Sequence, residues 1–214
     1  PCRSSGDWPR AAPGRVVALR IRPPLPSDGI PLAMSNPRDI ADAMQRAVSV
    51  FTRRPDKGLH DDVSARARWQ DDTRVVATHA TGATVESDMP VELGGTGDRP
   101  SPGWFFRAGI AACATTAIAM VAAEQGVALE RLEVEVGSRS DARGLLGMRD
   151  AEGITVDAGP ASMQVEVVLH APGVDAVRLN ALVAEGLRRS PMQGGLAGPA
   201  PIPVAVSVAG RPAD

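Results

Sequence analysis

The chain has 214 residues, enough for one domain with terminal extensions, and 43% of them are apolar, as in an ordinary globular protein. Its formal net charge of -2 gives no reason to expect nucleic acid or an anionic membrane as a partner. Two cysteines, one of them next to the first residue, do not make the disulfide framework of a secreted domain, so the composition predicts a cytoplasmic protein.

The first 33 residues hold seven of the 19 prolines and five arginines. Such a segment cannot bury enough apolar surface to offset the entropy of ordering, so we predict a disordered tail over 1–33 and a folded domain over 34–214. The domain opens with a helix, because Asn36 is a suitable N-cap and Pro37 suits the first helical position. Its apolar residues recur at helical spacing: Ile40, Met44, Ala47, Val48 and Phe51.

Three strands are predicted next, over 62–69, 74–80 and 83–93, the last interrupted by Pro90. The turns between them fall at 70–72 and 81–82. Three strands in series with short turns imply an antiparallel meander.

After a glycine-rich loop, a long apolar helix is predicted from about Trp104 to Gln125, with Gly126 just past its end. The helix is long enough to cross a bilayer, but it consists largely of alanine and glycine and contains Arg107, so we expect a buried helix and no membrane partner. Two strands, a helix and a last strand follow, over 129–138, 163–170, 175–189 and 202–210. The order α-β-β-β-α-β-β-α-β predicts an α+β fold.

Candidate chemistry centres on Cys113, in the middle of the long helix. Free cysteine is among the most buried residue types, so the residues alone favour a packing role over a chemical one. A thiol becomes a nucleophile when a positive charge or a helix N-terminus ionises it, and Cys113 lies beyond the first turn of its helix. A cation would therefore have to come from an arginine, and five are candidates: Arg74, Arg99, Arg107, Arg139 and Arg143.

Other kinds of site find no support in the sequence. The three histidines, His60, His79 and His170, lie far apart and do not have the spacing of zinc ligands. The loop over 94–103 lacks the consecutive lysine and serine that end a P-loop motif. We therefore predict no metal and no cofactor.

Two motifs resemble the OsmC/Ohr family: "PVELGGTG" over 90–97 and "SPGWFFRAGIAACATTAIAMVAAEQGVALERLEVEV" over 101–136. With the element order, the resemblance extends over 34–209. It implies antiparallel sheets packed around a long central helix, and an intertwined homodimer with active sites at the subunit interface. Members include thiol peroxidases that reduce organic hydroperoxides, and their peroxidatic cysteine corresponds to Cys113. An arginine oriented by a glutamate keeps that sulfur ionised, and Arg74 is the candidate match for the arginine.

Two residues depart from the family pattern. Gly103 stands where the glutamate would be, and Ser190 stands where the resolving cysteine would be. The resemblance then implies a one-cysteine peroxidase that uses an external thiol reductant, with Phe106, Ile110 and Met120 as an apolar wall for a small apolar hydroperoxide. The alternative is a non-catalytic binder of a small apolar ligand, or a structural dimer, with Cys113 as packing. The polar excursion over 139–160 is predicted to cover the pocket mouth with its apolar residues, Leu145, Leu146 and Met148.

Overall fold

The computed structural model describes residues 17–19, 37–198 and 203–205. Its helices are α1 (Pro37–Arg53), α2 (Pro102–Glu124), α3 (Ala142–Leu145), α4 (Ala176–Arg189) and α5 (Pro191–Ala197). Its strands are β1 (Val17–Leu19), β2 (Arg66–Asp71), β3 (Arg74–Thr78), β4 (Thr84–Ser87), β5 (Arg131–Ser140) and β6 (Pro160–His170). The predicted α+β class is confirmed.

The strands form two separate three-stranded sheets. In the first, β6 lies in the middle, antiparallel to β5 and parallel to β1. In the second, β2, β3 and β4 form an antiparallel meander, which confirms the prediction from alternating polarity. β2 starts at Arg66, later than predicted, because Arg66 pairs with Thr78, the last residue of β3. Residues 62–65 therefore have no strand opposite them.

The two turns of the meander are fixed by local geometry. Asp72 has a positive φ of 40°, and its carbonyl oxygen accepts a hydrogen bond of 3.0 Å from the indole Nε1 of Trp69. In the second turn Gly82 has a φ of 88°, and the His79 N–H donates to the Ala83 carbonyl at 2.9 Å. Glycine reaches this left-handed region without steric cost, and aspartate tolerates it better than most residues.

Both ends of α2 have the residues that such ends require. The Ser101 hydroxyl oxygen accepts a hydrogen bond from the Trp104 N–H at 3.3 Å, and Pro102 occupies the first helical position, where its missing N–H costs nothing. Beyond the C-terminus Gly126 has a φ of 65°, and the N–H of Val127 donates to the Ala122 carbonyl at 2.8 Å. This is the glycine stop that the sequence predicts.

The core lies where α2 and α4 pack on each other and on the sheet formed by β5 and β6. Its least exposed members are aliphatic: Ala114, Ile118, Val121, Val167 and Leu182. The two helices approach most closely at Gly186 of α4, where an added Cβ would lie 2.6 Å from Ile118 Cγ1 and 2.7 Å from Ile118 Cα. Gly186 therefore sets the distance between α2 and α4.

The β2–β4 sheet has no comparable support. Among the residues that the structure describes, its strands contact one another extensively but no helix to a similar extent. Trp69 in β2 is 69% exposed and Val85 in β4 is 50% exposed. The described part of the chain thus leaves apolar side chains of the meander exposed.

α2 is the helix in the described ranges that is long and apolar enough to span a membrane. Core helices of soluble proteins pass the same test. α2 packs on α1, α4, α5 and β5, and buried side chains occur along its length from Ile110 to Ala123. These contacts favour a core helix.

Several predictions about the ends of the chain fall on residues that are not described. Val17–Leu19, inside the segment predicted to be disordered, form β1 beside β6, so the tail is not uniformly without structure. The remainder of residues 1–33, and most of the strand predicted over 202–210, lie outside the described residues. The excursion over 139–160 contains α3 and an isolated bridge between Arg149 and Thr155, which the sequence did not predict.

Candidate functional site

Cys113 lies in the middle of α2, at the boundary between its buried and exposed sides. Its side chain is half-buried, whereas Ala114, the next residue, is fully buried. Within the described part of the chain, Cys113 is a free cysteine with no hydrogen-bond or ion-pair partner. The sulfur is therefore partly accessible, and no described side chain ties it down.

The three predicted wall residues have different environments. Phe106 and Met120 are each 39% exposed, whereas Ile110 is 1% exposed and belongs to the interior. Gly109, one turn before Cys113, has no atom within 4 Å of the place where its Cβ would be. On the helix face around Cys113, the apolar side chains of Phe106 and Met120 are thus partly exposed, and the space beside Gly109 is unoccupied.

Arg74, the predicted cation, is held by acidic groups near the start of β3. Its Nη2 donates to Asp98 Oδ1, to Thr96 Oγ1 at 2.9 Å and to Asp88 Oδ2 at 3.4 Å. Burial alone would lower the pKa of Arg74, but the charges of Asp98 and Asp88 outweigh it and leave that pKa raised. These bonds of Arg74 do not include Cys113 of the same chain.

Asp88 is the anchor of this group, although it was not among the site residues predicted from the sequence. It is 2% exposed, and Oδ1 accepts hydrogen bonds from the Thr73 hydroxyl at 2.6 Å and the Met89 N–H at 2.8 Å. Oδ2 accepts from the Thr96 N–H at 2.8 Å and the Thr96 hydroxyl at 2.7 Å. The Thr73 bond, and then those of Thr96, hold the pKa of Asp88 well below its ordinary value.

These bonds close the loop that leads into α2. The Asp88 N–H donates to the Pro100 carbonyl at 3.2 Å, so the first and last residues of the loop lie next to each other. Inside it, Gly95 lies so close to the chain that a Cβ would be 1.9 Å from the Met89 carbonyl oxygen. Glycine is required at that point. Asp88 and Gly95 together fix the position from which α2 starts.

We expect Asp88→Asn to lower the Tm at pH 7 by roughly 5–10 °C, because an amide replaces an ionised acceptor of several hydrogen bonds. A carboxyl with a lowered pKa stabilises the fold above its unfolded pKa, and that stability is lost as pH falls through the folded pKa. The difference in Tm between wild type and variant should therefore narrow below about pH 4.

Asp98→Asn is the matched control, since Asp98 contacts the same arginine but its side chain is 45% exposed. Thermal denaturation followed by circular dichroism, from pH 7 down to pH 3, makes the comparison. Equal losses in Tm for Asp88→Asn and Asp98→Asn would show that Asp88 is not the anchor.

Three of the other four candidate arginines have hydrogen-bond partners away from Cys113. Arg99 Nε donates to Glu86 Oε2 at 2.7 Å, and Arg143 forms a two-nitrogen pair with Asp141. Arg107 Nη1 donates to the Ser138 hydroxyl at 3.2 Å. Arg139 is exposed. None of these bonds places a guanidinium on the Cys113 sulfur of the same chain.

The two residues that depart from the family pattern lie in contrasting surroundings. Gly103 is exposed, and a Cβ there would lie 3.7 Å from Arg107 Nη1. Ser190, between α4 and α5, is 1% exposed, and its hydroxyl oxygen is the buried side-chain oxygen that lacks a hydrogen-bond partner among the described residues.

A groove of about 570 Å³ lies between the start of α1 and the end of α2, lined by Arg38, Ala41, Asp42, Ala123, Glu124, Gly126 and Ala128. None of the predicted site residues lines it. Among the described residues, no three His, Cys, Asp or Glu side chains converge as metal ligands would.

Comparisons with known proteins agree with this fold. A crystal structure from Mycoplasma pneumoniae, an OsmC-like protein, aligns with a TM-score of 0.54 at 15% identity, over 66% of this chain and 91% of that one. A structure from Psychrobacter arcticus, named as an osmotic stress induced and detoxification response protein, aligns with a TM-score of 0.50 at 17% identity, over 64% and 90%. An organic hydroperoxide resistance protein OsmC from Legionella pneumophila is 25% identical, with a TM-score of 0.48 over 65% and 92%.

At the level of sequence, no curated protein matches the chain significantly. A model of the family described as OsmC-like protein matches residues 95–204, about half of the chain, from the loop before α2 to the last described residues. The matched region contains Cys113, Gly103 and Ser190. The chain therefore belongs to the OsmC-like protein family.

Proposed function

We propose that the chain is a one-cysteine peroxidase of the OsmC-like family, which reduces small apolar hydroperoxides at Cys113 with an external thiol as reductant, in the cytoplasm. The observation that carries the proposal is the position of Cys113. Its half-buried sulfur lies on α2, on a helix face that ends in the exposed Phe106 and Met120. Within this family, such a thiol beside apolar surface supports the reduction of an alkyl hydroperoxide.

The chemistry follows from one sulfur atom. The Cys113 thiolate attacks the terminal oxygen of R–O–O–H, the O–O bond breaks, and the products are a sulfenic acid and an alkoxide that takes up a proton to become R–OH. An external thiol then attacks the sulfenic sulfur, water leaves and a mixed disulfide forms. A second thiol releases Cys113 as a thiol, and the two reductant molecules leave as a disulfide.

The proposal includes a homodimer in which β3 of one subunit faces α2 of the other. Within residues 37–198 the β2–β4 sheet packs on no helix to a comparable extent, and Trp69 is exposed. α2 in turn exposes Phe106 and Met120. Pairing these two apolar surfaces between copies would bring Arg74 of one subunit toward Cys113 of the other. Asp88 and Asp98 would orient Arg74, as a single glutamate does in the family pattern.

A mixed dimer tests this arrangement. Cys113→Ser and Arg74→Gln chains, each with a different affinity tag, are co-expressed and the mixed dimers are purified through both tags. One of the two sites then combines an intact Cys113 with an intact Arg74, so we expect about half of the wild-type hydroperoxide turnover from dimers whose parents have almost none. Arg99→Gln in place of Arg74→Gln is the control. Full activity of the Arg74→Gln parent, or no recovery in the mixed dimer, would contradict the proposal.

A second candidate function is a non-catalytic binder or structural dimer with Cys113 as packing. The ion pairs of Arg74 favour it, because two carboxylates already neutralise that guanidinium. The rate of Cys113 alkylation by iodoacetamide at pH 7 separates the two functions, since only thiolate reacts. A rate no faster than that of free cysteine, together with no turnover, would favour the binder.

A further inference from the structure

Arg74 is held by two carboxylates, and both bind the same nitrogen atom. Its hydrogen bonds within the described residues all start at Nη2, which donates to Asp88 Oδ2 at 3.4 Å, to Thr96 Oγ1 at 2.9 Å and to Asp98 Oδ1 over the shortest distance of the three. The three charged side chains carry one positive and two negative charges. A group with net negative charge disfavours the ionised form of a thiol beside it.

Asp88 has enough hydrogen-bond donors without Arg74. Its oxygens accept bonds of 2.6 to 2.8 Å from the Thr73 hydroxyl, the Met89 N–H, and the N–H and hydroxyl of Thr96. Its contact with Arg74 is longer, at 3.4 Å. The charge of Asp88 is therefore compensated mainly within the loop, and Asp88 positions Arg74 without needing its charge.

Asp98 has fewer donors and the shorter contact with Arg74. Its Oδ2 accepts a bond from Arg99 Nη1 at 3.2 Å. The Thr96 hydroxyl lies 2.7 Å from both Asp98 Oδ1 and Asp88 Oδ2, but it has one proton and donates to one acceptor at a time. This hydroxyl can turn to Asp98 when Arg74 turns away. Arg74 can thus leave Asp98 without leaving a carboxylate unpaired.

We propose that Asp98 is a positioning residue that restrains the site, because it holds the Arg74 guanidinium in the loop and competes for it with the Cys113 thiolate of the other subunit. The inference rests on the proposed function, since Arg74 must serve that sulfur across the subunit boundary. In the family pattern one carboxylate orients the arginine. Asp98 adds a second, and its charge makes Cys113 less reactive.

The pH dependence of Cys113 alkylation by iodoacetamide tests the role of Asp98 on the full-length protein. Every variant also carries Cys2→Ser, so that Cys113 is the one thiol that reacts. Asp98→Asn should lower the midpoint of the rate profile by roughly 0.5–1 pH unit, because the thiolate no longer competes with a carboxylate for the cation. A purely structural role of Asp98 would not move this midpoint downwards.

Glu86→Gln is the matched control, because it removes one negative charge from the same loop but Glu86 pairs with Arg99. Its midpoint should move by less than about 0.2 pH unit, since salt screens a charge that does not contact Arg74. Arg74→Gln should raise the midpoint. In the Arg74→Gln background, Asp98→Asn should have less than half of its effect, because the two residues act as a pair.

An Asp98→Asn midpoint equal to or above that of wild type would overturn the inference, as would an equal downward shift in Glu86→Gln. If Arg74→Gln still raises the midpoint, either outcome leaves the proposed dimer site standing. A midpoint that Arg74→Gln does not change would instead refute the contact between Arg74 and Cys113, and the inference with it. Circular dichroism spectra like that of wild type establish that the variants are folded.

Discussion

Cys113→Ser is expected to lower thiol-dependent hydroperoxide turnover by about 10³-fold or more, to the uncatalysed rate. A serine hydroxyl is not ionised near neutral pH and does not form an equivalent of sulfenic acid. Its smaller oxygen fits wherever the half-buried sulfur fits, so the fold should remain intact. The measurement is loss of cumene hydroperoxide with dithiothreitol as the external thiol, together with mass spectrometry of the dimedone adduct that a sulfenic acid forms.

Cys2→Ser is the matched control, because it removes the other thiol of the chain. It should keep wild-type turnover and the single dimedone adduct at Cys113. Without dithiothreitol, wild type should consume about one hydroperoxide per chain and stop, since no reductant is present to return the sulfenic acid to the thiol. Equal turnover in wild type and Cys113→Ser would refute the peroxidase.

Gly186→Ala is expected to have the largest effect on stability. The new Cβ would meet Ile118 Cγ1 at 2.6 Å and Ile118 Cα at 2.7 Å, and the second of these is backbone that cannot rotate away. α4 would have to move off α2, opening the cluster around Leu182 and Val121. We expect a loss of about 3 kcal/mol or more in the free energy of unfolding, despite the gain in helix propensity. This corresponds to a fall in Tm of roughly 6–12 °C.

Gly194→Ala gives the comparison for the same chemical change. Gly194 lies inside α5 and has no atom within 4 Å of its absent Cβ. The variant should be as stable as wild type or more stable by about 0.5–1 kcal/mol. Urea denaturation followed by circular dichroism reports both variants. A Gly186→Ala protein as stable as Gly194→Ala would mean that the two helices do not approach through residue 186.

The sequence predicted those parts of the fold that depend on neighbouring residues. Pro37, Pro102 and Gly126 lie at helix ends, and the signals of helix ends are local. The predicted ends of α1 and α2 therefore agree with the observed ends within about two residues. The β2–β4 meander followed from alternating polarity and short turns. The parallel pairing of β1 with β6 joins segments far apart in the chain, and no local pattern announces it.

The candidate site was predicted only in part, because some of its contacts join residues that are far apart in the chain. The helical spacing placed Cys113 on one face with Phe106 and Met120, but could not show that Ile110 turns inward. Asp88 was not predicted, because Thr73 and Thr96 come within hydrogen-bond distance of it only when the loop closes. A lone aspartate after a strand carries no signal of burial. The role of Arg74 depends on a surface that the single chain does not contain, so it stays a prediction.

The exposed apolar side chains of the β2–β4 meander also affect how the protein folds. Three strands with exposed apolar side chains, which pack on no helix of the described ranges to a comparable extent, are only marginally stable in water by themselves. In the proposed dimer, that sheet packs on an apolar surface only when a second subunit binds. Association would then be the last step of folding, and the population of competent molecules would rise and fall with protein concentration rather than being set by the chain alone.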